Sequence, residues 1–230
     1  MTIGHPLDRP VWSSLTSLQA GLAQGDARAV RLAPEYGVFA AAADDTDASM
    51  AALAVLAGGR EGIALVEADP VRLPAATAVA QQALVCQMSA EALTPDPSKS
   101  PDFEVVPLTD ADAPAMLALA TLTKPGPFYA RTHQMGRFIG VKQDGRLLAM
   151  AGERMQPTGF TEVSGVCTHP DARGRGLGGA LTRIVAGAIL ARRETPFLHV
   201  YATNAGAICL YEALGFTLRR EMTLTVLTGP

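Results

Sequence analysis

The stretch RGRGLGGALTRIVAG, opening at Arg173, constrains this chain of 230 residues more than any other. From Leu177 the apolar residues Ala180, Leu181, Ile184, Val185, Ala188 and Ile189 follow the i, i+3, i+4, i+7 rhythm of one buried helix face. At the mouth of that helix stand Gly174, Gly176, Gly178 and Gly179, flanked by Arg173 and Arg175. Each glycine costs about 0.5–1 kcal/mol of backbone entropy, so four of them exceed what a tight turn requires. Unpaired N–H groups and the positive end of the helix dipole meet there with no side chain in the way. Such a place suits a phosphate or pyrophosphate.

Two phosphate-binding templates fail on the flanking residues. A dinucleotide fingerprint laid on Gly174, Gly176 and Gly179 needs a strand running into the first glycine and an acid at the end of the next strand. Here HPDAR intervenes, and the next strand, PFLHVYA, ends without an acid, Glu194 lying before it. The P-loop template fails because no Lys followed by Ser or Thr closes the glycines.

The rest of the chain reads as an α/β alternation. TPDPSKSP, residues 94–101, holds three prolines and reads as a linker. It divides an N-terminal α/β region, residues 1–93, from a second region, residues 102–230. Before it, GVFAAAADD, EGIALVEA and ALVCQM read as strands, and DTDASMAALAVLAGG as a helix capped by Asp45 or Thr46 and closed by Gly58 and Gly59. After it come the strand FEVVPL and a helix through DAPAMLALATL that Asp110 caps. RFIGVKQDGRLLAMAGERM then forms a hairpin turning at Asp144-Gly145, and TEVSGVCTHP a further strand.

Charge and cysteine content narrow the partners. A net charge of −3 and a pI near 5.8 leave no surplus of Lys and Arg for a nucleic-acid backbone. Cys86, Cys167 and Cys209 lie far apart in apolar segments and read as reduced core thiols. The chain opens with no basic, then apolar, leader and holds no apolar run long enough for a bilayer. A soluble, cytoplasmic protein with no membrane or nucleic-acid partner, monomeric or homodimeric, is the expectation. His5, His133, His169 and His199 show no metal-ligand spacing, so no metal is expected.

Arg173-x-x-Gly176-x-Gly178 resembles the R/Q-x-x-G-x-G/A signature of the GNAT superfamily of acyl-CoA-dependent N-acyltransferases. V-x-T-H-P precedes it, and N-x-x-A-x-x-x-Y-x-x-x-G-F follows as Asn204, Ala207, Tyr211, Gly215 and Phe216. The resemblance covers roughly Phe103 to Leu227 and is nearest to the glycine N-acyltransferase-like C-terminal domains. It implies an α/β (α+β) architecture in which a GNAT fold, a mixed, mostly antiparallel, splayed sheet flanked by helices, occupies residues 102–230. The region before it would be a degenerate copy of the same fold or a lid over the acceptor.

The resemblance also implies roles. The backbone of Val166, Cys167 and Thr168 would pair with the pantetheine of acetyl-CoA, and the amides of Arg173, Gly174, Arg175, Gly176, Leu177, Gly178 and Gly179 would hold its diphosphate. An amide near Val166 or Cys167 would polarise the thioester carbonyl. Asn204 caps the helix that carries Tyr211 two turns on, and both face one cleft. Tyr211 is similar to the family's general acid, which protonates the departing thiolate. Glu162, Glu153 and, more weakly, His133 are the candidate bases. Phe128 and Tyr129 form an acceptor wall or pack internally, and Arg131 and Arg137 offer charges for an acceptor carboxylate. Together these imply transfer of an acetyl group to a primary amine of a small molecule, amino acid or peptide. The rival is a non-catalytic acyl-CoA-binding sensor or interaction module.

Overall fold

The computed structural model describes residues 4–59, 62–95 and 103–229. Of the expected linker, residues 96–101 lie outside the described residues. The N-terminal region opens with α1 (Pro10–Leu15), followed by a three-stranded antiparallel sheet of β1 (Ala23–Gly25), β2 (Ala29–Leu32) and β3 (Ala40–Ala42). Next comes α2 (Asp47–Ala57), where Thr46 is the capping residue, its hydroxyl accepting from the Ser49 N–H, and Met50, Leu53 and Ala57 form the buried stripe. β4 (Ile63–Glu67) and β5 (Ala78–Ser89) complete the residues before the linker.

The second region runs β6 (Val106–Leu108), α3 (Ala113–Thr123), β7 (Phe138–Gln143), β8 (Arg146–Glu153), β9 (Phe160–Thr168), α4 (Leu177–Ala191), β10 (Thr195–Tyr201), α5 (Ala205–Leu214) and β11 (Thr217–Thr228). The β7–β8 turn is built as expected, with Asp144 and Gly145 both at positive φ. Thr109, not Asp110, caps the entry to α3 through a capping box with Asp112. In α4 the buried residues are Leu177, Leu181, Thr182, Val185, Ala186 and Ile189, while Ile184 is exposed. The stripe is turned from the expected one because small alanines on neighbouring faces specify its edge weakly.

A single eight-stranded sheet dominates, in the order β4-β11-β5-β10-β9-β8-β7-β6. All its pairings are antiparallel except β9 with β10. The division expected at residues 94–101 therefore does not coincide with a break in the sheet: β5, from before it, lies between β10 and β11, from after it. The reason is topological. β10 and β11 run parallel to each other and are joined through α5, so their crossover leaves a slot one strand wide, which an antiparallel strand from elsewhere fills. In that slot Val85, Cys86 and Met88 are buried.

Two apolar layers cover the sheet. On one face α4 packs Leu177, Leu181, Val185 and Ile189 against Ala149, Ala151, Val163, Leu198 and Val200. On the other, α3 brings Met116, Leu119 and Ala120 onto Phe138, Met150 and Cys167, and the N-terminal residues Leu7, Val11, Phe39 and Val66 pack with Val85, Phe197 and Met222. Gly152, paired across strands with Phe138, would place a Cβ 2.4 Å from that ring. Gly152→Ala is therefore expected to destabilise by about 1–3 kcal/mol in denaturant unfolding. A change below about 0.5 kcal/mol would show that the ring yields freely.

Candidate functional site

The site begins where two strands part. β9 and β10 pair only from Phe160 to Glu162 against Thr195 to Phe197. Beyond Glu162 the edge of β9 that faces β10 has no strand partner, while its other edge stays paired to β8. Opposite β8 an extra residue is accommodated between Ser164 and Cys167, with Gly165 at φ +64. Such a bulge bends the strand and re-aims its end. Val166, Cys167 and Thr168 thus carry the open edge.

The chain then makes a short turn, in which His169 Nδ1 accepts from the Asp171 N–H at 3.2 Å, and enters the glycine loop. Gly174 and Gly176 both adopt left-handed φ, +77 and +74, which residues with a Cβ rarely tolerate. A Cβ there would meet nothing within 4 Å, so conformation, not crowding, demands these glycines. Gly176 is the N-cap of α4 and supplies no side chain to it, and Ala180 is the first residue whose N–H bonds back to Gly176. The N–H groups of Leu177, Gly178 and Gly179 are therefore left to point out of the helix mouth. Gly178 faces the end of β9, where a Cβ would sit 3.5 Å from Thr168 Oγ1. Arg173 and Arg175 are exposed beside this mouth, and neither enters an ion pair among the described residues.

A cleft of about 210 Å³ runs through the splay. Val166, Asn204, Ala207 and Tyr211 border it on the side of α5. Asn204 caps that helix, its Oδ1 accepting from the Ala207 N–H at 3.2 Å. Tyr211 is half-buried, its ring edge-on to Phe216, and its hydroxyl has no protein hydrogen bond among the described residues. Burial pushes its pKa up to about 12.

The expected carboxylates behave otherwise. Glu162 is buried and gripped by Arg154, whose Nε and Nη2 each donate at 2.8 Å. His199 Nδ1 lies 2.8 Å from Glu162 Oε1. Burial by itself would raise the pKa of Glu162, but the Arg154 charge and hydrogen bonds, with those of His199, outweigh it and hold the carboxyl well below the usual carboxylate range. A carboxylate so saturated has little affinity for an amine proton. Glu153 faces the other side of the sheet, bound to Arg192 at 2.9 Å, and does not line the cleft. His133 is likewise away from it, its Nε2 2.8 Å from Asp110.

The remaining candidates divide. Phe128 packs edge-on to Phe138, and Tyr129 joins the N-terminal apolar cluster, so both serve packing rather than the cleft wall. Arg131 is occupied by Glu35 and by the Tyr36 ring. Cys167 is buried with its thiol pushed up to about 11, as an inert core cysteine should be.

Residues that local sequence does not single out complete the cleft. Phe39, Val66, Val85 and Leu224 form its apolar floor, and Lys124 to Pro127 one rim. Arg154 and His199 lie between them. His199 belongs to a buried chain of polar groups: Arg219 donates to Gln87 Oε1 at 2.8 Å, and Gln87 Nε2 lies 3.0 Å from His199 Nε2. Because the Gln87 oxygen is taken by Arg219, its amide donates to His199 Nε2. The imidazole proton then resides on Nδ1, facing Glu162. The one available signal was alternation: in PFLHVYA, His199 shares its face of β10 with Phe197 and Tyr201.

The FR47-like protein family model matches residues 138–225, which span β7 to most of β11 and include the open strand edge, the glycine loop and α5. A protein from Novosphingobium aromaticivorans, named as a GNAT-family acetyltransferase, is 49% identical over 99% of this chain and 100% of its own, with a TM-score of 0.90. A GCN5-related N-acetyltransferase from Kribbella flavida shares the fold at 18% identity, covering 93% of this chain and 95% of its own with a TM-score of 0.62. A GCN5-related N-acetyltransferase-like protein from Streptococcus suis does so at 15% identity, 95% and 92% coverage and a TM-score of 0.57. No curated protein matches the chain. Among the described residues no His, Cys, Asp and Glu cluster could hold a metal, and no helix is long and apolar enough to cross a membrane.

Proposed function

The chain belongs to the GNAT acetyltransferase superfamily, and from that premise we propose that it transfers an acetyl group from acetyl-CoA directly to a primary amine. The observation that carries this is the meeting of an unpaired strand edge, Val163–Thr168, with the open helix mouth at Gly176–Gly179. An extended amide-bearing arm suits the first and a diphosphate the second. Arg173 and Arg175 add uncompensated positive charge beside the mouth.

The reaction balances simply. The neutral amine nitrogen attacks the thioester carbon, the C–S bond breaks, and the sulfur leaves as a thiolate that takes a proton from Tyr211. The ammonium proton lost before attack passes to water, the nitrogen sheds a second proton to water as the tetrahedral adduct collapses, and solvent restores the Tyr211 phenol, so that one proton is released overall. Burial keeps the Tyr211 phenol protonated throughout the working range; because it is then a weaker acid than a thiol, its transfer to the thiolate is completed by reprotonation from solvent. The buried pair Arg154–Glu162 holds His199 in place and takes no proton itself.

Two measurements test this. Acetyl-CoA, and not NAD, is expected to raise the melting temperature, because ligands that bind only the folded state stabilise it. Thiol release from acetyl-CoA is then expected to depend on added amine and to rise with pH until the amine's own pKa is reached, without an inflection from Glu162. Stabilisation without amine-dependent release at any pH would instead favour a non-catalytic acyl-CoA-binding module. The locked state of Glu162 and Glu153 is the observation on that side.

A further inference from the structure

The lining of the cleft carries information about the acceptor as well as the donor. Its two sides lie on opposite faces of the sheet. Val166, Asn204, Ala207 and Tyr211 stand on the side of α5, next to the glycine loop. Phe39, Val66, Val85 and Leu224 stand on the other side, among the apolar cluster that includes Phe197. The acceptor's side is thus an apolar floor, contributed mostly by the residues before the linker. Arg154 lies over the Phe39 ring, 4.6 Å from its centroid, which adds a flat, partly apolar surface to that floor.

The charges around this floor are one-sided. Among the described residues no Asp or Glu lines the cleft. Glu162 lies behind Arg154 with its side chain 1% exposed, and its charge is spent on that guanidinium. Both ring nitrogens of His199 are engaged within the protein, by Gln87 and by Glu162. Lys124 is exposed at the rim and enters no ion pair among the described residues. An acceptor with a second positive charge would therefore meet an uncompensated cation and no anion. One with a negative charge beside its amine would meet Lys124, and an apolar body would cover the floor.

We propose that the acceptor is a small amine bearing both a carboxylate and an apolar side chain, the chemistry of an apolar α-amino acid, with Lys124 facing its carboxylate. The proposal rests on the acetyl-transfer function assigned to the same cleft. In the reaction it implies, the α-amine nitrogen bonds to the acetyl carbon, the C–S bond breaks, and coenzyme A leaves as a thiol. One proton is released to solvent from the original ammonium.

The test is thiol release by the full chain with acetyl-CoA and, in parallel, leucine, leucinamide, aspartate and spermidine. Leucine is expected to show a kcat/KM about 5- to 10-fold above leucinamide, the worth of one exposed charge-assisted contact, with aspartate and spermidine lower still. Lys124→Glu is expected to lower leucine by about tenfold while leaving leucinamide within about twofold, and Lys124→Arg to keep the preference. Leucinamide, aspartate or spermidine serving as well as leucine would overturn the proposal while leaving the transferase function standing. So would a Lys124→Glu variant that lowers leucine and leucinamide alike. If acetyl-CoA raises the melting temperature but none of a wider range of amines releases thiol, the transferase function falls, and this proposal with it.

Discussion

Glu162→Gln is expected to destabilise the protein by about 3–5 kcal/mol, because it strips the partner from a guanidinium that is almost fully buried. For a chain of this size that lowers the melting temperature by roughly 10 °C. The variant is also expected to lose a pH dependence that the native chain has. The Glu162 carboxyl titrates lower in the folded than in the unfolded state, so its stabilisation is fully present above the ordinary glutamate value of 4.5 and is lost as pH falls below it. Urea unfolding at pH 7 and near pH 3.5 measures both effects, and the gap between the two proteins should narrow at the lower pH. Replacing Arg154 and Glu162 together by apolar residues should restore much of the loss at pH 7, since the unpaired charge, more than the missing bond, carries the cost. A Glu162→Gln variant as stable as the native chain would show that the pair is not desolvated as described.

Tyr211→Phe is expected to slow acetyl transfer by about 10²- to 10⁴-fold while leaving stability within about 0.5 kcal/mol and acetyl-CoA affinity unchanged. The contrast follows from the surroundings of the hydroxyl. It has no protein hydrogen bond among the described residues, so removing it strands no partner, and the ring keeps its contact with Phe216. A tyrosine kept only for packing would lose neither rate nor stability on this change. Steady-state kinetics with a saturating amine, beside a thermal-shift titration with acetyl-CoA, separates the two. An unchanged rate from pH 6 to 10 would remove Tyr211 from the chemistry.

Much of the glycine loop and its surroundings was legible from local pattern. The Asp144-Gly145 turn, the helix behind the glycine loop and the Asn204 cap each depend on residues within a few positions of one another, and all three form as read. The candidate bases show the opposite. Glu162 was recognisable as a carboxylate on the right strand, but its role depends on Arg154, which follows β8, and His199, which lies 37 residues on. A glutamate ready to take a proton and one locked in an ion pair look identical until those neighbours are placed. Phe128 and Tyr129, read as an acceptor wall or as packing, needed the fold for a related reason: an aromatic residue in a loop faces whichever core the adjacent strands offer.

By itself the sequence determined the helix behind the glycine loop, its open mouth and the Asp144-Gly145 turn, since helix periodicity, capping and the left-handed tolerance of glycine are settled over a handful of residues. Only the tertiary structure decided that β5 enters the sheet between β10 and β11, and with it that Phe39, Val66 and Val85 floor the cleft. The pairing of strands more than a hundred residues apart is chosen by the slot that a crossover leaves and by the burial of both faces of the strand that fills it. Neither quantity exists until the whole sheet has been assembled.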